Sequence, residues 1–154
     1  MHRIDVYKYS TRCYRIEGVR IFKSRWFQRF ARKEGIEDTA LREAVDRAER
    51  GQIDGDLGGE VIKQRIARPG QGESKGYRTI ILFRRGAKAF FVYGFSKSRR
   101  ANINEDEEEQ FKEAARHVLA LTEKQLSAFL KRGDFVEEKR NEQEVSLWHK
   151  KRSF

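Results

Sequence analysis

The chain has 154 residues, 38% of them hydrophobic and eleven of them Phe; that is enough to bury one domain's core and excludes a disordered polycation. Its single cysteine, Cys13, excludes an internal disulfide and a cysteine-based metal cluster. The charge is gathered rather than spread: residues 61–103 hold eleven Lys or Arg against one acid, Glu73, a net of +10, while the other 111 residues carry 23 basic and 23 acidic groups. Like charges collected in this way oppose a compact state, and their usual reason is a polyanionic partner, most often nucleic acid.

Residues 1–18 are polar with three tyrosines and no clear period; a short strand, an ordered arm or an upstream extension all fit. Val19 to Lys23 alternates as a strand does. Ser24 can cap a helix with Trp26, Phe27, Phe30 and Ala31 at helical spacing, stopped by Gly35. A second helix follows Asp38 or Thr39, with Leu41, Ala44, Val45 and Ala48 on one side and a stop at Gly51. The short join predicts a helical hairpin. Ile53 to Glu60 reads as a Gly/Asp loop. Three strands come next, over 61–67, 76–83 and 87–95, as an antiparallel meander. In the first of them Ile62 and Ile66 share one face and Lys63 and Arg65 the other. The sheet is therefore expected to show one apolar side to the helices and one basic side to a partner. Asn104-x-x-Glu107 and Thr122-x-x-Gln125 are capping boxes for two more helices. Phe111, Ala114, Ala115, Val118 and Leu119 form the stripe of the first; Leu126, Phe129 and Leu130 form that of the second, which Gly133 ends. The rest is a charged tail.

The cations fall into groups. Lys63, Arg65, Arg68, Lys75 and Arg78 lie on two neighbouring strands and their connection; Lys97, Arg99 and Arg100 follow the third strand. Arginine offers phosphates both charge and forked donors, and Tyr77, Tyr93 and Phe95 are aromatics that could stack on unpaired bases. Arg84, Arg85 and Lys88, at a turn, serve equally well to keep a sheet edge soluble. Gly70-x-Gly72-x-x-x-Gly76 lacks the Walker spacing and reads as a hairpin loop. His2, His117 and His149 show no ligand spacing, so neither metal nor cofactor is expected. No apolar run approaches the roughly 20 residues of a bilayer span. The N-terminus lacks a signal peptide's apolar core. With the lone cysteine, these points predict a cytoplasmic protein with no membrane partner.

The runs K-Q-R-I-A-R-P-G-Q-G-x-x-x-G-Y-R-T-I-x-x-F (63–83) and F-F-V-Y-G-F-S-K-S-x-R-A-N-I (90–103) are long and specific. With F-K-S-x-W-F-x-R-F-A-R-K-E-G-I (22–36) and D-x-D-L-G-G-x-V-I-K (54–63), they resemble the HigB/RelE-like toxins of bacterial type II toxin–antitoxin systems, in the RelE/ParE superfamily. The resemblance spans about residues 19–121. It implies an α+β, RelE-like fold: an N-terminal helical hairpin packed on a small antiparallel sheet, followed by C-terminal helices. It divides the chain into an N-terminal extension over 1–18, a toxin domain over 19–133 and a tail over 134–154.

The resemblance also implies a metal-independent endoribonuclease that enters the ribosomal A site, cuts mRNA there and so inhibits translation. A cognate antitoxin, often with a helix-turn-helix domain, is its implied partner. By alignment, Lys63 and Arg65 occupy the positions of basic catalytic residues, Arg78 that of a phosphate-binding arginine, and Arg99 that of the arginine after the last strand. Lys63 is then the general base, made easier to deprotonate by Arg65 and Arg78, with Arg78 and Arg99 stabilising the transition-state phosphate. Arg68, Lys75, Tyr77, Tyr93, Lys97 and Arg100 are expected to bind nucleic acid. One departure stands out. A tyrosine common in the family falls here near Ile103, which can neither stack nor transfer a proton; Tyr93 or Tyr77 could stand in. That gap keeps two alternatives open: a toxin acting on a protein such as DNA gyrase, and a nucleic-acid-binding regulator on the same fold.

Overall fold

The computed structural model describes residues 18–68 and 72–138, with the side chains of residues 72–75 outside that description. The expected arm (apart from Gly18), Cys13, the Lys75 side chain and the tail from residue 139 onward thus lie outside the described residues.

Strand β1, Arg20–Ser24, leads directly into helix α1, Arg25–Glu34. The Ser24 hydroxyl accepts a hydrogen bond from the Phe27 amide at 3.1 Å, satisfying one of the free amides of the first turn. Gly35, at φ 70°, ends the helix in the left-handed conformation. Helix α2, Asp38–Glu49, buries the four residues of its expected stripe. Strand β2, Gly55–Gly58, occupies the segment read as a loop. It pairs with β3, Val61–Arg68, which continues antiparallel into β4, Gly72–Arg84, and β5, Lys88–Ser96. Helices α3, Glu105–Val118, and α4, Glu123–Arg132, open with complete capping boxes at Asn104/Glu107 and Thr122/Gln125. Strand β6, Phe135–Glu137, brings three residues of the stretch read as tail into the sheet.

The sheet has six strands in the order β2-β3-β4-β5-β1-β6 and is mixed rather than purely antiparallel, because β1 lies parallel to β5. Ile21 and Phe22 point to opposite faces and are both fully buried, so β1 lies between the two helical layers, with β5 on one side and β6 on the other. Gly76, expected in a hairpin loop, sits within β4, where any Cβ would collide with the Ile66 carbonyl.

Both sheet faces are apolar, which corrects the expectation of one greasy and one basic side. Ile62, Ile66, Ile81, Phe83 and Phe91 face α1 and α2. Val61, Ile80, Leu82, Phe90 and Phe95 face α3 and α4 through Ala115, Leu119 and Leu126. Each of the first two helices rests on the sheet, α1 on β5 and β1 and α2 on β3. The four-residue run Ile80 to Phe83 is buried on both sides, as befits strands sandwiched between helical layers. On the α3/α4 side of the sheet, Lys63 and Arg65 reach solvent where that helical layer stops.

Candidate active site

Three of the four expected catalytic residues meet on the α3 face, at the end of β3 and β4 that α3 leaves uncovered. Alternation along β3 puts Val61, Lys63 and Arg65 on that face and Ile62, Gln64 and Ile66 on the other. Across the sheet, Arg65 stands opposite Arg78, and Arg78 opposite Phe95; in the next row Lys63 stands opposite Ile80, and Ile80 opposite Tyr93. Directly paired residues hold their Cβ atoms about 5 Å apart. The two guanidinium groups are therefore held as neighbours by backbone pairing rather than by mutual attraction.

A β-bulge makes this row. Between β4 and β5 the register shifts at Ile80/Ile81, so that Ile80 faces Tyr93 while Ile81 faces Phe91, and Val92 is the extra residue. Strict alternation would place Tyr93 beside Phe91, toward α1. The bulge turns Tyr93 and Phe95 to the other face, where Phe90 lies.

The groups differ in setting. Arg65 is exposed, Lys63 half-buried and Arg78 only 8% accessible. Burial pushes the Arg78 guanidinium below its ordinary value, and the charge of Arg65 adds to this, while Asp54 opposes it. The Lys63 ammonium donates to Asn102 Oδ1 at 3.1 Å, and the same oxygen accepts the Ile103 amide at 2.9 Å. Asn102 thus ties the lysine to the turn before α3. The stem of Lys63 lies against β2, where a Cβ on Gly55 would come within 3.3 Å of its Cε.

Behind the cations a second network fixes β3. Gln64 is fully buried; its amide nitrogen donates to the Ala44 carbonyl at 2.9 Å, and its oxygen accepts the Asp54 amide at 2.7 Å. Asp54 Oδ2 accepts the Arg65 amide at 2.7 Å, and Arg47 donates to the Arg65 carbonyl at 2.5 Å. Sequence reasoning missed Gln64, Asp54, Arg47 and Asn102. The available signal was Gln64 itself, a polar residue at an inward-facing strand position between two apolar ones.

The remaining expected residues divide. Arg99 and Lys97 are exposed in the turn leaving β5, where the Arg99 amide bonds the Ser96 carbonyl at 3.1 Å. Arg100 is held by Glu107, by the Tyr93 hydroxyl at 3.0 Å and by the Asn102 carbonyl at 2.8 Å. Tyr77 and Arg68 lie on the opposite face: Tyr77 is 3% accessible in the α1/α2 core and Arg68 covers its ring. Ile103, near which a tyrosine was expected, is buried in the α3 core. Among the described residues no group of His, Cys, Asp and Glu is arranged to hold a metal ion, and no helix is long and apolar enough to cross a membrane.

Residues 19–137 match the family described as RelE toxin of RelE / RelB toxin-antitoxin system. The chain belongs to the RelE toxin family. As a RelE-like toxin it pairs with an antitoxin. The matched span runs from just before β1 to the end of β6, so it takes in every element of the sheet. No curated protein matches the chain.

Proposed function

We propose that this RelE toxin is a ribosome-dependent mRNA endoribonuclease that inhibits translation from the cytoplasm. The observation that carries the reading is the cross-strand pair Arg65–Arg78 with Lys63 on the same uncovered face. Two arginines and a lysine converging without a carboxylate on the row suit a phosphodiester that gains negative charge in its transition state. Lys63, as the neutral amine, takes the proton of the 2′-hydroxyl, whose oxygen attacks the adjacent phosphorus. Arg78 and Arg65 hold the non-bridging oxygens, with Arg99 closing from the turn. The bond to the 5′-oxygen breaks, leaving a 2′,3′-cyclic phosphate.

The leaving 5′-oxygen needs a proton, and Tyr93 is the candidate to give it. Its hydroxyl accepts from Arg100 at 3.0 Å and keeps its own hydrogen to donate. Tyr77, covered on the other face, is not placed for this. Lys97 and Lys75 are assigned to the RNA backbone. An antitoxin with a helix-turn-helix domain is the expected partner.

The test is a map of new RNA 5′ ends after brief induction, comparing wild type with Lys63→Ala and Arg78→Ala. In-frame cuts within translated messages, lost in both variants, are the expected result. Growth arrest without new ends would overturn the ribonuclease reading and direct the search to a protein target such as gyrase.

A further inference from the structure

A second feature adjoins the basic row and was not anticipated from the sequence. A groove of about 460 Å³ runs between α1 and the end of β5, lined by Trp26, Phe30, Tyr93 and Phe95 and rimmed by Arg29, Lys33 and Arg99. Trp26 is 39% accessible, and among the described residues no other large hydrophobic side chain is exposed. It is the outer member of a ladder of rings, 5.3 Å from Phe30 and 4.7 Å from Tyr93 between centroids. Gly94 floors the groove, because a Cβ there would come within 2.6 Å of the Phe30 ring.

The charge around it is mostly positive. Several cations elsewhere are matched by acids, as Lys23 is by Asp38, Arg42 by Glu138, Arg84 by Glu60 and Lys88 by Glu123, and in the groove's lining Arg100 is matched by Glu107. Among the described residues Arg29, Lys33 and Arg99 have no ion-pair partner, and Glu34 is the one acid lining the groove. An exposed indole, backed by half-buried rings and flanked by cations without ion-pair partners, complements a ligand that is planar on one part and anionic on another. An unpaired nucleotide has that chemistry.

We infer that this groove is an RNA subsite, which takes the base of a nucleotide next to the scissile phosphate against Trp26 and that nucleotide's phosphate on Arg99 and Lys33. The inference rests on the reading of the basic row as an RNA-cleaving face. Continuity favours RNA over an acidic peptide: Phe95 both pairs with Arg78 and lines the groove, and Tyr93 lies in both. A strand held by its phosphate at Arg78 passes over Phe95 and enters the groove without leaving the protein surface.

The experiment uses the full chain carrying Trp148→Phe, which leaves Trp26 as the only tryptophan. It is titrated with a short single-stranded RNA and with the same sugar–phosphate backbone lacking bases, following Trp26 emission and, separately, binding by anisotropy. Saturable quenching by the RNA and none by the abasic strand is expected. Trp26→Ala should weaken RNA binding roughly tenfold or more and Trp26→Phe much less. Lys33→Ala, which leaves the aromatic ladder intact, should lower the salt dependence by about one counterion. RNA bound with Trp26 emission unmoved and Trp26→Ala neutral would overturn the subsite while leaving the ribonuclease reading in place. Emission that responds to an acidic peptide and not to RNA would overturn RNA as the occupant. Absence of both binding and new RNA ends in cells would remove the two readings together.

Discussion

The same three strands, β3 to β5, behave differently at their two ends. At one end Ile80, Ile81, Leu82 and Phe83 on β4 and Phe90 and Phe91 on β5 are covered on both faces, by α1 and α2 below and by α3 and α4 above. At the other end the α1/α2 layer continues, closing over Ile66 and Tyr77, but the α3/α4 layer stops, and Lys63, Arg65 and Arg78 stand in the opening. The covered end provides rigidity; the open end presents cations at backbone-determined spacing. Charge is tolerated at the open end because solvent, Asn102 and the Asp54 network share its cost. A site built on strands gripped elsewhere by two helical layers needs little reorganisation when substrate arrives.

Breaking the covered end should have the largest effect on stability. Phe90→Ala removes a fully buried ring stacked 4.5 Å from Phe22, and is expected to cost about 3–5 kcal/mol in denaturant unfolding. A loss below about 1 kcal/mol would show that this end is not a close-packed core. At the open end the expected signature is reversed. Arg78→Ala should lower RNA cleavage roughly 10²–10³-fold, as losing one preorganised donor does elsewhere, with an unfolding midpoint much closer to wild type than that of Phe90→Ala. Normal cleavage by that variant would remove Arg78 from the site.

Much of the covered end was legible in the sequence. Ser24, Asn104/Glu107 and Thr122/Gln125 mark helix starts through local hydrogen bonds, which depend on nothing distant. The meander was legible for a similar reason, its connections being short. Cover on both faces was signalled by Ile80 to Phe83, an unbroken apolar run instead of an alternating one, yet the sheet was expected to keep one basic side. The opening was harder. Lys63, Arg65 and Arg78 could be named as a charge group, but the bulge at Val92 decides that Tyr93 and Phe95 join them, whereas plain alternation along β4 puts Tyr77, next to Arg78, on the other face. A bulge is a two-strand property that depends on register, and one strand's sequence does not state it. Trp26 was misplaced for a related reason: helical spacing put it on the buried stripe, whereas it sits at the rim where α1 passes the edge of its sheet contact.

A smaller change can sharpen how the open end is positioned. Asn102→Ala deletes the acceptor shared by Lys63 and the Ile103 amide. It should cost about 1 kcal/mol of stability and lower kcat about tenfold while leaving KM nearly unchanged. Asn102→Asp restores an acceptor and should recover part of the rate. A variant that altered KM alone would make Asn102 an RNA contact instead of a positioning residue for Lys63.

The smallest effect concerns charge at the covered side, where burial is not shared with solvent. Glu138, just after β6, is bonded through both oxygens to Arg42, at 3.0 and 3.3 Å, and its side chain is 6% accessible. Burial raises its pKa above the ordinary carboxylate value, with Asp38 adding to this, while Arg42 and Lys23 pull the other way. The folded state therefore holds this proton more tightly than the unfolded chain does. Between the ordinary and the raised pKa the native state binds more protons, so this group's contribution to stability falls as pH rises through that window. Glu138→Gln removes the titration. The stability of wild type relative to the variant should be most favourable near pH ~4, close to the unperturbed value, and should decline toward neutrality. Urea midpoints for both proteins across that range measure it. A relative stability that instead grows with pH would mean that the pair with Arg42 outweighs burial, and that the covered side accommodates ions as readily as the open end does.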